Sequence, residues 1–326
     1  MDGLARKMLH YVSTFPSSAY SKLGRMLCCL AQSFLMTLAG AWLVQCVTAS
    51  GARAIDILPR DYLALPSGTN LAAFYYDLIR SSEFNLAAVG TSKNKNNTDL
   101  HIDVGVYRQI YYGDIGGRSW AAEVVVPFGT EAGQIAGNKL GRSTGVGDIL
   151  VAAGISFLPQ LERTYNIAMA LYVSMPTGSY SPIRRLNLGA NRWSFDPQIG
   201  YTQAIGNKFW FDAAVDVIMY TNNDDIGVYH AILRQQPTYQ GQVWFSYVPD
   251  KSSLVSVGYA VQVGGAQNIN GINTGIKTES EQVRFAYSKS LTNQFQVVGS
   301  VAHDISVMGG FRKDVEALFR VLYTWR

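Results

Sequence analysis

The sequence has few cysteines, little charge and, beyond residue 55, no long apolar run, and each shortage excludes something. Its three cysteines, Cys28, Cys29 and Cys46, all precede residue 50, so the remainder offers no disulfide, thiolate nucleophile or cysteine-ligated metal. Charged residues are only 15% of the 326 and apolar ones 48%, where an average chain carries about 25% charged residues; disorder and a nucleic-acid-binding arm are both disfavoured. Past residue 55 the longest uninterrupted apolar stretch is 149–155, too short to cross a membrane as a helix.

The formal charge of +4 is equally uninformative about partners, because residues 1–54 hold five basic residues (Arg6, Lys7, Lys22, Arg25, Arg53) and one acidic residue (Asp2), which accounts for all of it. That segment reads as an export signal. Lys22 and Arg25 precede an apolar core over 34–44, and Ala52-Arg53-Ala54 fits a small-x-small cleavage site, so cleavage is expected after Ala54. Two readings compete: the stretch 26–47 is long enough for a retained anchor helix, and Leu43-Val44-Gln45-Cys46 faintly resembles a lipoprotein box. Residues 55–68 would be a short N-terminal extension and 69–326 the folded unit.

What is present after residue 55 is period-two alternation. Phe209, Phe211, Ala213, Val215, Val217 and Met219 alternate with Lys208, Trp210, Asp212, Ala214, Asp216 and Ile218, giving one greasy and one mostly polar face over the length a tilted strand needs to cross a bilayer. The same reading yields twelve segments, 69–82, 100–112, 118–128, 146–158, 164–176, 192–205, 208–221, 237–248, 252–264, 277–289, 293–304 and 314–325. Short turns (113–117, 159–163, 206–207, 249–251, 292) alternate with long connections (83–99, 129–145, 177–191, 222–236, 265–276) and a medium one, 306–313. An even strand number with this rhythm predicts an all-β, transmembrane, antiparallel up-and-down barrel of Gram-negative outer-membrane type.

A soluble sandwich also alternates, but charge placement speaks against it. Asp103, Glu123, Asp148, Asp196, Asp212, Asp216, Arg284, Asp304, Glu316 and Arg320 fall on the polar phase, more charge than a packed core can bury. A water-filled lumen can hold it. An Arg facing lipid near the midplane would cost about 2–4 kcal/mol. The candidate lumen-lining set is therefore Glu123, Asp148, Tyr172, Asp196, Trp210, Asp212, Asp216, Trp244, Arg284, Asp304, Glu316 and Arg320, with Trp210, Tyr172 and Trp244 as stacking surface for an aromatic solute. Trp120, Trp193, Phe209, Phe211, Tyr220, Tyr247, Tyr287, Phe295, Tyr323 and Trp325 suit the interfacial girdles. Loops 129–145 and 177–191 are expected to narrow the lumen.

Chemistry-bearing motifs are sparse. His101, His230 and His303 lie on different elements, with no His or Cys cluster, so no metal or other cofactor is expected. Gly141-Arg142-Ser143-Thr144-Gly145 matches a nucleophile elbow in letters only, since no helix follows it. Tyr201-Thr202-Gln203 occurs in the outer-membrane phospholipase, but that enzyme's His before Ser-Asn-Gly has no counterpart here. No catalytic residue is assigned.

A more specific series is Gly147-Asp148-Ile149, then 175–180 (Met-Pro-Thr-Gly-Ser-Tyr), then 186–200 with Asn187, Gly189, Asn191, Arg192, Trp193, Asp196, Pro197 and Gly200. With the strand rhythm, over roughly 65–325, it resembles the outer-membrane proteins of phenol meta-cleavage (MetA) pathways, usually called transporters. The resemblance implies a non-enzymatic barrel that passes aromatic or other hydrophobic compounds, with outer-membrane lipid, a small solute and the barrel-assembly machinery as partners and no nucleic acid. It carries no functional residues over. Locally, Pro, Gly and Asn in the series suit turns, and Pro197 suggests a bulge or irregular ladder. A phospholipase-like lipid-directed enzyme and a non-transporting structural or adhesive barrel are the alternatives.

Overall fold

The computed structural model describes residues 56–86, 92–94, 96–159 and 164–326; the export signal expected over 1–54 lies outside the described residues. Twelve long strands make the fold: β1 Asn70–Ser81, β2 Asp99–Ile115, β3 Arg118–Ile135, β4 Leu150–Pro159, β5 Tyr165–Ser174, β6 Ser194–Ile205, β7 Phe209–Tyr220, β8 Thr238–Tyr247, β9 Ser253–Gly264, β10 Glu279–Ser290, β11 Phe295–Met308 and β12 Val315–Trp325. Each pairs antiparallel with its neighbours in sequence, and β1 pairs with β12 from Asn70↔Trp325 to Arg80↔Val315. The sheet is a closed barrel, which satisfies every strand amide within the protein and leaves no edge.

The pleat sorts residues as the alternation requires. Phe74, Val215, Val257, Phe285, Val301 and Phe319 are exposed on the outer wall, whereas Ala73, Ile79, Ala214, Trp244, Ala260 and Val298 are buried inside it. Near the short-turn end, rings pack around the outside: Phe209 on Phe245 at 5.5 Å, Phe295 on Tyr323 at 4.6 Å and Tyr323 on Trp325 at 5.4 Å. This is an interfacial aromatic belt. Tyr220 does not belong to it. It lies on the inward phase, under the Arg192 guanidinium at 4.6 Å, and its hydroxyl donates to Thr238 Oγ1.

Segment 129–145 is not a loop. β3 runs on to Ile135 and turns back as the strand Asn138–Val146, a hairpin standing above the barrel. The glycines there read as loop residues, but Gly129 and Gly133 are strand positions where a Cβ would come within 2.2 Å of Asp103 O and 2.6 Å of Asp99 O. Close approach to β2 is what requires them. Ser143 of the elbow-like motif is a buried residue of this hairpin. Pro197 makes no bulge either; the β6–β7 register is constant, and the ladder omits bridges only between Asp216↔Gln198 and Met219↔Phe195. Two small sheets cap the long-loop side, one of Glu83–Leu86, Ser92–Asn94 and Gly310–Arg312, the other of Asn223–Ile226, Ala231–Gln235, Gln267–Ile269 and Ile272–Asn273.

Candidate functional site

The lumen is occupied by the chain's own N-terminal segment. Residues 56–68 are not a simple extension but rise from the short-turn side into the barrel and fold through two tight turns, Asp61 N donating to Leu58 O and Leu63 N to Arg60 O, both at 3.1 Å. Ile57 and Leu58 are buried against Ala214, Trp244, Ala286 and Val298. Trp244 Nε1 donates to Ile57 O at 2.9 Å, and Ile57 N donates to Gln242 Oε1 at 3.2 Å. Burying a full indole stabilises by a few kcal/mol, and here the gain depends on the segment being in place.

Charges fasten the same segment. Arg284 Nη2 pairs with Asp56 and Arg320 Nη1 with Asp61, each at 2.8 Å. Arg60 N donates to Asp212 Oδ1 at 3.1 Å while Thr202 also donates to that carboxylate. The Arg60 guanidinium stacks over Trp210 at 4.6 Å; burial lowers its pKa and the Asp212 charge opposes the shift. Tyr62 OH donates to Gln198 Oε1 at 2.6 Å, and Gln198 Nε2 donates to Asp216 Oδ2 at 3.0 Å. Gly200 leaves room for the Tyr62 ring, where a Cβ would sit at 2.2 Å.

Several candidate lumen residues thus serve the segment or the loops. Asp212, Asp216, Trp210, Trp244, Arg284 and Arg320 lie on the inward phase and hold residues 56–62 directly or through Gln198; Trp244 is fully buried there, and half-buried Trp210 carries Arg60 on one face. Asp304 accepts from Gln282 Nε2 at 3.0 Å and Lys313 N at 2.8 Å, and Glu316 pairs with Lys313 at 2.6 Å. Asp148 is a loop pin. Its carboxylate accepts Gly178 N at 2.8 Å and Ala190 N at 2.7 Å, while Gly178 and Gly189 pack backbone to backbone, each leaving no space for a Cβ. Burial raises the Asp148 pKa against the opposing pull of those amides. The Gly147-Asp148, Gly178 and Gly189 motifs are therefore one loop lock. Asp148→Asn keeps the shape but turns one acceptor into a donor, with an expected cost of about 1–3 kcal/mol for the orphaned amide and faster proteolytic cutting within 177–191 of the folded barrel.

Glu123, Tyr172 and Asp196 remain, together with Arg108, which sequence reasoning did not single out. One hydrogen-bonded row across the inner wall runs Ile110, Glu123, Ala152, Tyr172, Asp196 on β2 to β6. Arg108 Nε and Nη2 both donate to Glu123 Oε2, at 2.8 and 2.7 Å. Inward side chains below this row on β4 and β5 are small: Gly154, Ser156, Ala168 and Ala170. The segment reaches this wall where Asn166 Nδ2 donates to Tyr62 O at 2.7 Å and where Leu65 packs near Ile110 and Ala121, and between those contacts a gap stays open. Two cavities result. The outer, of about 240 Å³, is bounded by Val104, Val106, Val125, Leu188, Ile218 and Leu318 with Asp77, Asp148, Asp196 and Glu316. The inner, of about 90 Å³, lies between Ile57, Tyr62 and Leu63 and the small-residue wall. They share the lining residues Asp56, Arg108, Glu123 and Tyr172, which mark where the two adjoin. Loop residue Leu188 borders only the outer cavity; the main obstruction is the N-terminal segment rather than either loop.

The histidines stand apart from this path. His230 Nδ1 contacts Asp225 on an exposed loop, His101 lies 3.7 Å from Asp99, and His303 Nδ1 meets Asp314 O at 2.6 Å.

The family model "Putative MetA-pathway of phenol degradation" matches residues 85–314. The chain belongs to that family. Its structure is similar to the crystal structure of the COG4313 outer membrane channel from Pseudomonas putida F1, at 25% identity and a TM-score of 0.78, covering 83% of this chain and 100% of that one. A second similar structure is the toluene transporter TbuX of Ralstonia pickettii, at 7% identity and a TM-score of 0.48, covering 86% of this chain and 96% of that one. No protein of curated function matches the sequence. The chain is an outer-membrane barrel of channel type, with the short turns and both ends of the barrel sheet on the periplasmic side.

Proposed function

We propose that the protein is a conduit for small, hydrophobic or aromatic molecules, which cross the barrel through the gap between its N-terminal segment and the β2 to β5 wall. The observation that carries this reading is the pair of adjoining cavities that share four lining residues. The outer cavity sets aliphatic side chains beside six carboxylates and Arg108, while the inner one is walled largely by small and apolar residues, and apolar surface with placed polar groups is what a small organic ligand needs. A narrow lumen with charged walls selects by size and charge rather than passing solutes freely. The toluene transported by TbuX is a property of that protein; for this chain the solute class rests on the cavity lining and on family membership. Lipid contacts the outer wall, and assembly of such a barrel requires the barrel-assembly machinery.

Single-channel recording on the refolded barrel tests the proposal. Small conductance steps that aromatic solutes reduce in a saturable manner are expected; a silent barrel, or steps indifferent to such solutes, would contradict it. Charge in the lumen gives a second expected result. The double variant Arg284→Gln, Arg320→Gln removes two cations from the barrel interior and strips Asp56 and Asp61 of their ion-pair partners. The reversal potential in a KCl gradient should move toward cation selectivity, and conductance should rise as the segment loosens, with folded barrel still recovered.

A further inference from the structure

The lining shared by the two cavities contains an acceptor with nothing to accept. Glu123 receives both Arg108 bonds on Oε2, and its other oxygen, Oε1, is buried without a hydrogen-bond partner. Its side chain is 93% buried, since 7% remains exposed, and it borders both cavities. A buried carboxylate oxygen left unpaired is costly, and such groups normally find a partner in the protein, in water or in a bound molecule. Ala152 and Tyr172 follow Glu123 in the same inner row. Between the Tyr172 side chain and Glu123 there is thus only a methyl group, so the row leaves space beside the carboxylate there.

We propose that Glu123 Oε1 is a selectivity-determining acceptor for permeants carrying one hydrogen-bond donor, a hydroxyl or amino group on a small apolar body. The donor meets Oε1 while the body lies over Ala152 against Tyr172. Arg108 fixes the carboxylate's orientation through its two bonds to Oε2, so the free oxygen presents an acceptor to the path. Molecules of the same size without a donor leave that oxygen unpaired and pass less readily, because a site built to hydrogen-bond discriminates most strongly through its own unsatisfied group. This rests on the conduit reading above and sharpens it from size and polarity to a specific functional group.

Open-channel block separates the two. Aniline and fluorobenzene have nearly the same size, and only aniline donates. In the native barrel, aniline is expected to reduce single-channel current at a concentration about tenfold lower than fluorobenzene, the ratio for one hydrogen bond to a charged group in a partly wet site. In Glu123→Gln the amide oxygen stays with Arg108 and the Nε2 donor turns to the path, so the ratio should fall to about one or reverse. Glu123→Asp keeps a counter-ion for Arg108 but withdraws the acceptor by one methylene; it covers the case in which the glutamine variant does not assemble, and the ratio should fall there too. Tyr172→Ala should weaken block by both probes alike. Block of the native barrel at equal concentrations of the two probes, or an unchanged ratio in the Glu123 variants, overturns the acceptor role while leaving the conduit standing. Absence of block by either probe overturns both.

Discussion

Deleting residues 56–65 from the exported chain is expected to raise single-channel conductance at least about threefold, because the lumen of a twelve-stranded barrel is too wide to be filled by its own wall side chains alone. In this protein the β6 to β11 side is filled by Ile57, Leu58 and Tyr62 rather than by the barrel. The deletion leaves Gln242, Asp212, Arg284 and Arg320 without the partners that the segment supplies, and water takes over those bonds. The twelve strands do not depend on the segment for their ladders, so heat-modifiable gel mobility should still report a folded barrel. Conductance equal to that of the native chain would place the segment outside the conducting path.

Trp244→Ala should reproduce much of that change by a single substitution. The indole is 1% exposed, donates to Ile57 O, and lies over Gly258, where a Cβ would come within 2.6 Å of the ring. Removing a fully buried indole costs about 3–5 kcal/mol. Little of that falls on the β8–β9 and β7–β8 ladders, which are backbone bonds. The cost falls mainly on the docking of residues 57 and 58. The expected record is a flickering current alternating between native and enlarged levels, with the segment becoming a substrate for protease added from the periplasmic side. Trp210→Ala, which removes only the surface under Arg60, should have the smaller effect.

The barrel itself was legible because its physics is local. Alternation such as Phe209 to Met219 must appear in any strand with lipid on one side and a polar interior on the other, and short turns at Gly116-Gly117 and Gly206 mark one end. The hairpin over 118–146 was not legible, because Gly129 and Gly133 satisfy a contact with β2 that lies about thirty residues away in sequence. Nor was the filled lumen. Residues 56–68 have neither period, and Pro59, Pro66 and Gly68 describe a coil whether it hangs free or is packed. One signal was available in the wall. Inward positions carry Gln198, Gln240, Gln242, Trp244 and Gln282 on β6 to β10 but Ala152, Gly154, Ala168 and Ala170 on β4 and β5. Large hydrogen-bonding residues on one side and small apolar ones on the other indicate an occupant against the first and a gap along the second. The phase of Glu123 was readable from the strand, whereas its pairing with Arg108 needed the β2–β3 register.

Solutes and ions are expected to pass along the small-residue wall beside the N-terminal segment. Ala152 lines the inner cavity next to Glu123 and Tyr172, and the chain from residue 56 onward contains no cysteine, so Ala152→Cys supplies a single reactive site. A thiol-specific reagent is added during single-channel recording, and mass spectrometry of the same protein verifies complete modification. The account predicts that current through each channel falls in one step to near zero as the thiol is capped. Full modification with current unchanged would show that the path runs elsewhere.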